Sequence, residues 1–284
     1  LAQTVRDLEV IVVDDGSTDK SPSILRDYVR TDERLRVISR PNTGIVGALN
    51  DGLAECRGKF IARMDADDWS HPERLERQLA FMRAHPEVVA CGTAAWIIDP
   101  KGRQVGLHHP PTDSLNIENN LLEGNGGSLL HPSVMVRTNI LTGVGGYERD
   151  FDLAEDLDLY FRLLQKGRLS NLSESMFHYR QHPASTNFQK RESQRKLIQQ
   201  ILNRERKIRN LSPYDISSSK APSDLSRSAL YRRWSCGAFD CGHRQTAILH
   251  AGSSILRAPL DRRAWQTLKY VMFSPLKSLP NNVA

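Results

Sequence analysis

The chain has 284 residues, of which 39% are hydrophobic and 25% charged; this composition supports a large folded core and excludes an intrinsically disordered protein. No run approaches the roughly 20 apolar residues that span a bilayer, and the start has no signal-peptide pattern, so we expect a cytoplasmic protein. Residues 1–188 carry 21 Lys and Arg against 27 Asp and Glu, which argues against a nucleic-acid-binding face there, whereas residues 189–284 carry 18 against six.

Short apolar runs alternate with helix-like segments over the first hundred residues. LEVIVVDD at 8–15 and KFIARMDADD at 59–68 are typical of strands, and both end in acidic residues. Segments with helical spacing follow at 16–30, 44–58 and 71–86. This alternation predicts an α/β fold with a doubly wound, mostly parallel sheet flanked by helices. Ligands bind such sheets at the carboxyl ends of the strands, which is where both acidic clusters fall.

Asp65, Asp67 and Asp68 crowd three negative charges into four consecutive positions after the second of these strands. A hard divalent cation would relieve their repulsion, because such cations bind oxygen ligands. Mg²⁺ combines one or two protein carboxylates with substrate phosphates, so the Asp-Ala-Asp spacing suits a complex of a metal with a diphosphate. A solvated acidic turn that caps the next helix explains the same residues, and the motif alone leaves both interpretations open.

A second acidic pair begins a later helix. Residues 87–98 and 131–137 predict further strands, separated by a region rich in Gly, Pro and Asn. The segment FDLAEDLDLYFRLLQKG at 151–167 then has the apolar spacing of a helix, with Glu155 and Asp156 at its start. The helix dipole favours ionised carboxylates there, so simple dipole complementation also accounts for the pair.

The composition changes beyond about residue 189. A basic helix, a connector rich in Ser and Pro, and two or three further helices predict a helical appendage, so we divide the chain into a domain at 1–188 and a basic helical region at 189–284. The basic excess, interspersed with aromatic residues, fits an anionic membrane surface, nucleic acid or a solvated helical face. Of these partners we expect no nucleic acid.

Five blocks of sequence, taken in order, resemble the family 2 glycosyltransferases of the GT-A fold. They are VVDDGSTD, RPNTGIVGALNDGL, MDADD, HPSVMVR and GGYERDFDLAEDLDLYFRL, and the resemblance covers residues 1 to about 185. It implies inverting transfer of a sugar from a nucleotide-diphosphate sugar to a sugar or lipid-linked acceptor, in bacterial surface polysaccharide or glycolipid synthesis. The family normally has a further strand and helix ahead of the first block, so we expect the sequence to be a fragment.

The resemblance also implies a role for each acidic motif. In the family, the first motif contacts the nucleotide base, the second touches the ribose and the diphosphate-bound Mn or Mg, and the third supplies the base that deprotonates the acceptor. The corresponding residues are Asp15 with Asp14 beside it, then Asp65 and Asp67, then Asp156 with Glu155 beside it.

Four further residues are weaker candidates. Arg40, Asn42 and Gly44 are placed to approach the nucleotide, since glycine permits close passage of the backbone, but an ordinary turn explains them equally well. His182 corresponds to a position that supplies a metal ligand in some relatives. For a lone histidine, a structural or solvent-facing role is favoured.

Three other classes of protein are alternatives for these features. Phosphatases of the haloacid-dehalogenase type also carry Asp-x-Asp after a strand, but they need Thr or Val at the place that Trp69 occupies. A nucleotidyltransferase would carry a Gly-rich phosphate loop near its start, and none is visible. A non-catalytic nucleotide-binding protein is the remaining alternative, against which the presence of both Asp67 and Asp156 speaks.

Overall fold

The computed structural model describes residues 1–185, 190–215 and 226–276. Its strands are β1 Val10–Asp14, β2 Leu35–Ser39, β3 Phe60–Ala62, β4 Trp69–Ser70, β5 Val88–Ile98, β6 Gln104–His108, β7 Met135–Arg137 and β8 Arg168–Arg180. Its helices are α1 Ser21–Thr31, α2 Ile45–Glu55, α3 Arg74–Ala84, α4 Ser114–Leu122, α5 Thr138–Gly143, α6 Glu155–Leu164, α7 Arg191–Ile208, α8 Arg227–Asp240, α9 Arg244–Arg257 and α10 Arg262–Phe273.

The strands form a two-stranded parallel sheet of β1 and β2 and a six-stranded sheet in the order β3-β7-β5-β8-β4, with β6 paired to β5 outside that path. The α/β fold with flanking helices is confirmed, and the strands and helices predicted up to residue 98 are present. The prediction of a mostly parallel sheet is wrong in detail, because among the described strands only β1–β2 and β5–β8 pair in parallel. The other pairings are antiparallel, since β7 runs opposite to both β3 and β5 and since β6 folds back on β5 as a hairpin.

The largest cluster of buried apolar side chains among the described residues lies between the larger sheet and helices α4, α6 and α7. Tyr160 and Phe161 of α6 are fully buried there, together with Ile201 and Leu202 of α7. Helix α7, the first helix of the basic region, therefore completes the core of the preceding part. A smaller cluster, which includes Met82 of α3, packs against β5 and β7.

Helices α8, α9 and α10 have a small core of their own around Phe239 and Val271. They dock on the β5–β6 hairpin, where Leu230 and Trp234 of α8 pack against Val105 of β6. The division of the chain at residue 188 stays a prediction, and residues 216–225 of the predicted connector lie outside the described residues. Of the helices described, none combines the length and the apolar character that crossing a bilayer requires.

Candidate active site

The carboxyl ends of β1 and β2 meet through the first acidic motif. Asp14 is buried, and its Oδ1 accepts a hydrogen bond from the Ser17 N–H at 3.0 Å, which closes the turn after β1. The Asp15 carboxylate accepts hydrogen bonds from the N–H groups of Thr43 at 3.0 Å and Gly44 at 2.9 Å. These N–H groups stand immediately ahead of α2, where a helix leaves its donors unpaired. Asp15 therefore fixes the loop that enters α2.

The same loop holds the other predicted nucleotide contacts. The Arg40 Nε lies 3.2 Å from Asp15 Oδ1, and its guanidinium also contacts Asp51 and the Thr43 hydroxyl. Gly16 has a φ of +82°, and a Cβ built there would lie 2.8 Å from the backbone nitrogen of Asn42, so only glycine fits this close approach. The structure thus places Asp15 together with Arg40, Asn42 and Gly44 in one cluster of loop residues. Contact of these side chains with a nucleotide base stays a prediction.

The second motif forms a tight group of carboxylates. Oxygen atoms of Asp65, Asp67 and Asp68 lie within 4.8 Å of one another. His182, at the end of β8, places its Nε2 3.5 Å from Asp67 Oδ2. The structure therefore puts this histidine beside the carboxylates and gives it a defined place as a candidate ligand.

Asp68 is a further candidate ligand, although the sequence placed it only in the acidic cluster and gave it no role of its own. Its side chain is buried, and its Oδ1 accepts a hydrogen bond from the Arg180 N–H at 2.7 Å. Among the described residues, no group donates a hydrogen bond to its buried Oδ2. Burial, together with repulsion from Asp65 and Asp67, raises the pKa of Asp68 to about 7. The third acid of the DADD run was the sequence signal for this position.

This donor set fits a hard divalent cation. Carboxylate oxygens are the ligands that Mg²⁺ and Mn²⁺ prefer, and an imidazole nitrogen suits Mn²⁺ as well. A buried carboxylate oxygen without a donor is costly in an apolar setting, and a bound cation would compensate it. The geometry supports a divalent-cation site at Asp65, Asp67, Asp68 and His182.

The third motif begins α6. Glu155 is 7% exposed, and its Oε2 accepts a hydrogen bond from the Leu153 N–H at 3.0 Å. Leu153 has a φ of +91°, an uncommon conformation for a residue with a side chain, which brings its N–H to Glu155. Burial and the neighbouring charge of Asp156 raise the pKa of Glu155 to about 7, and burial also raises the pKa of Asp156. A carboxyl group with the pKa of Glu155 exchanges protons close to neutral pH.

Arg63 connects the second and third motifs. Its Nη2 pairs with Asp65 Oδ1 at 2.6 Å, and its positive charge lowers the pKa of Glu155 and of Asp156, which burial raises. Its buried Nη1 has no hydrogen-bond partner among the described residues. Arg63 was not among the site residues predicted from the sequence, although a charged residue in the apolar run FIARM was a signal for it.

The first motif also reaches the third. A Cβ built on Gly44, whose φ is +89°, would lie 3.6 Å from the Asp152 carboxylate, just ahead of α6. Asn50 of α2 exchanges hydrogen bonds with the backbone of Tyr147, at 2.8 and 2.9 Å. Helix α2 is therefore hydrogen-bonded to the segment that leads into α6. The loop ahead of α2 and the Glu155–Asp156 pair consequently lie side by side.

Two solved structures share the fold. The Staphylococcus aureus protein TarS, residues 1–349 in complex with UDP-GlcNAc, superposes with a TM-score of 0.59 and 19% identity, covering 95% of this chain and 80% of that 1–349 chain. The mannosyltransferase PcManGT of Pyrobaculum calidifontis, in complex with GDP-Man and Mn²⁺, has a TM-score of 0.50 and 20% identity, covering 95% of this chain and 78% of its own. At these identities the likeness concerns the fold.

Curated sequences are similar over the same region. EpsE of Bacillus subtilis, which is named as a glycosyltransferase, is 31% identical over 186 residues, which cover 64% of this chain and 65% of EpsE. The O-antigen biosynthesis glycosyltransferase WbnJ of Escherichia coli is 31% identical over 191 residues, covering 66% of this chain and 73% of WbnJ. The family model described as glycosyl transferase family 2 matches residues 1–142, which is half of the chain. The chain belongs to glycosyl transferase family 2.

Proposed function

We propose that this protein transfers a sugar from a nucleotide-diphosphate sugar to an acceptor hydroxyl, with inversion at the anomeric carbon. The observation that carries the proposal is the arrangement around Arg63, which pairs with the Asp65 carboxylate and lowers the pKa of the Glu155–Asp156 pair. Membership of the family and the nucleotide-sugar complex of TarS support the choice of donor.

Asp156 suits the role of general base. It stands at the first turn of α6, where its side chain is largely but not fully buried, and among the described residues only its Oδ1 accepts a hydrogen bond, from the Leu157 N–H at 2.7 Å. The acceptor hydroxyl gives its proton to Asp156 while its oxygen forms a bond to the anomeric carbon. The bond from that carbon to the diphosphate oxygen breaks at the same time, and the electron pair leaves with the nucleoside diphosphate. A single displacement of this kind inverts the anomeric configuration.

Asp65, Asp67, Asp68 and His182 would hold Mn²⁺ or Mg²⁺ on the donor side. A cation there supplies positive charge for the departing diphosphate. Asp14, Asp15 and the loop at 40–44 would bind the nucleoside, because this loop adjoins α2 and approaches the segment ahead of α6.

The first test replaces the base. Asp156→Asn should abolish sugar transfer while binding of a nucleoside diphosphate, measured by titration calorimetry with Mn²⁺, stays close to wild type. Asp150→Asn, an exposed carboxylate in the same segment, is the matched control and should leave transfer unchanged. Transfer by Asp156→Asn at the wild-type rate would contradict the assignment.

The second test identifies the donor and separates the alternatives. A panel of sugar nucleotides with UDP, GDP and dTDP groups is incubated with Mn²⁺, and nucleoside diphosphate is measured. Release from one donor supports the proposal. A phosphatase of the haloacid-dehalogenase type would instead release inorganic phosphate, and binding of a sugar nucleotide without release of product, even with acceptors added, would favour a non-catalytic nucleotide-binding protein.

We also propose that the acceptor is lipid-linked and that the protein attaches to the inner face of the membrane through its basic helical region at 189–284. Several large apolar side chains of α9, α10 and the turn between them are exposed, among them Leu256 at 84%, Leu260 at 95% and Phe273 at 75%. Residues 226–276 carry eight Lys and Arg against two Asp. Exposed apolar side chains next to a cationic surface match a bilayer that contains anionic lipid. The similarity to WbnJ, which is named as an O-antigen biosynthesis glycosyltransferase, supports surface polysaccharide or glycolipid as the product class.

Vesicle sedimentation tests this attachment. The chain should sediment with vesicles of phosphatidylglycerol and phosphatidylcholine, and less with phosphatidylcholine alone or in high salt. The double variant Leu260→Ser and Phe273→Ser should lose most of this binding, whereas Leu115→Ser, at a position that is 67% exposed outside this region, should keep it. Equal binding by all three proteins, or no binding to anionic vesicles, would refute attachment through α9 and α10.

A further inference from the structure

Arg180, the last residue of β8, makes two hydrogen bonds to the Asp67–Asp68 segment and two to the turn between β5 and β6. Its N–H donates to Asp68 Oδ1 at 2.7 Å, and its Nε donates to the backbone oxygen of Asp67 at 2.6 Å. Its Nη1 donates to the backbone oxygens of Asp99 and Pro100, each at 3.1 Å. One side chain therefore joins the Asp67–Asp68 segment to the turn between β5 and β6.

Besides Arg180, the ion pair of Arg63 with Asp65 and a 3.4 Å hydrogen bond from the Asp68 N–H to the Asp65 backbone oxygen hold this segment. Strand β4, which follows it, has two residues and pairs with β8 at Trp69 and Ser70. Three carboxylates that lie within 4.8 Å of one another repel, and repulsion favours conformations in which they separate. Ligands for a metal bind tightly when surrounding hydrogen bonds hold them in place beforehand.

The far end of the Arg180 side chain rests on a fixed structure. Asp99 is fully buried, where Arg103 of the β5–β6 hairpin pairs with its carboxylate at 2.6 Å and His250 of α9 lies 3.1 Å from it. Next along the chain, Gln181 accepts a hydrogen bond from the Trp234 indole at 3.0 Å. The C-terminal helices thus brace the strand end that carries both Arg180 and His182.

We propose that Arg180 is a positioning residue for the divalent cation, a role that rests on the proposed function of this site. The guanidinium of Arg180 donates to backbone oxygens, and its backbone N–H donates to one carboxylate oxygen of Asp68. Arg180 therefore fixes the orientation of the Asp67–Asp68 segment rather than pairing its charge with a ligand carboxylate. Because His182 is two residues away on the same strand end, the hydrogen bonds of Arg180 also fix the distance between His182 and Asp67. The guanidinium reaches two separate groups at once through a rigid, planar set of donors, which an ammonium group does not reproduce.

The test measures Mn²⁺ binding to the full chain by electron paramagnetic resonance, without any sugar nucleotide. Arg180→Met keeps the apolar stem and the backbone N–H that donates to Asp68, but it removes the three side-chain hydrogen bonds, and it should weaken Mn²⁺ binding about tenfold or more. Arg180→Lys should recover only part of the affinity. Thermal unfolding without metal reports folding, and both variants should melt within about 3 °C of wild type, since the lost hydrogen bonds lie at the partly exposed end of β8.

Two comparisons make the result decisive. Arg168→Met, an exposed residue at the opposite end of β8, should bind Mn²⁺ as the wild type does, whereas Asp67→Asn should lose binding. If Arg180→Met and Arg180→Lys both bind Mn²⁺ with wild-type affinity, the positioning role is refuted although the site stands. If the wild type and Asp67→Asn bind Mn²⁺ equally, the metal site of the proposed function fails, and the role of Arg180 fails with it.

Discussion

Replacing Glu155 by Gln should stabilise the protein at alkaline pH. The carboxyl is 7% exposed, and burial together with the charge of Asp156 raises its pKa from 4.5 to about 7. The folded protein therefore holds this proton more tightly than the unfolded chain does. Unfolding free energy is consequently lost as the pH rises from about 4.5 to 7, and above that range the full penalty remains.

The size of the penalty follows from the shift. One pKa unit corresponds to about 1.4 kcal/mol, so the penalty above pH 7 is on the order of 2–3 kcal/mol after allowance for relaxation around the ionised pair. Gln carries no charge, and its side-chain oxygen can still accept the hydrogen bond from Leu153. Glu155→Gln should thus gain about 2–3 kcal/mol at pH 8, a rise of about 4–10 °C in Tm, and almost nothing at pH 4.5.

Urea denaturation at the two pH values measures this difference. Glu148→Gln, an exposed residue ahead of α6, serves as the control and should change the unfolding free energy little at either pH. A variant that is less stable than wild type at pH 8, or equally changed at both pH values, would refute the reasoning.

Two further predictions concern the loop ahead of α2 and the docking of the C-terminal helices. Asp15→Ala removes the acceptor of two backbone N–H groups and should lower the unfolding free energy by about 2 kcal/mol in urea denaturation; a change below about 0.5 kcal/mol would contradict its role in the loop. Gly237→Ala would place a Cβ against the Val105 carbonyl oxygen and should lower Tm. Its control is Gly252→Ala on the neighbouring helix, where the new Cβ meets open space and should stabilise the protein by up to about 1 kcal/mol. Equal Tm values for the two variants would show that α8 does not pack closely on β6.

The sequence predicted the elements before residue 99, apart from the two-residue strand β4, because their apolar spacing and turn residues agree. It did not predict the directions of the strands, since alternation is the same in parallel and antiparallel pairs. The extent of strand β8 was also not predicted, because its buried positions include the polar residues Ser170 and Asn171. Ser170 donates to the Thr112 backbone oxygen, and Asn171 donates to the backbone oxygens of Pro111 and Ser128. Loop carbonyl groups thus select polar residues inside this strand, and hydropathy cannot show that.

For the site, local motifs were enough to find the acids but not the residues that hold them. Asp65, Asp67 and Asp156 stand in short recognisable runs, and the structure places each at an element end, as expected. Arg180 and Asp68 are 112 positions apart, and their hydrogen bond exists only once β8 lies beside β4. Spacing along the chain carries no information about such a pair.

The same electrostatic effect acts on carboxylates of the second and third motifs. Glu155 and Asp68, on two different motifs, both have a pKa raised to about 7, because each is buried among other carboxylates. Arg63 is the cation that acts on both motifs, and it lowers the pKa of each of these groups. The charge of Arg63 does not bring either pKa back to its ordinary value, so ionising Glu155 and Asp68 costs folding free energy. A divalent cation that binds the folded state recovers part of this cost, and its affinity therefore increases with the same crowding that destabilises the protein without it.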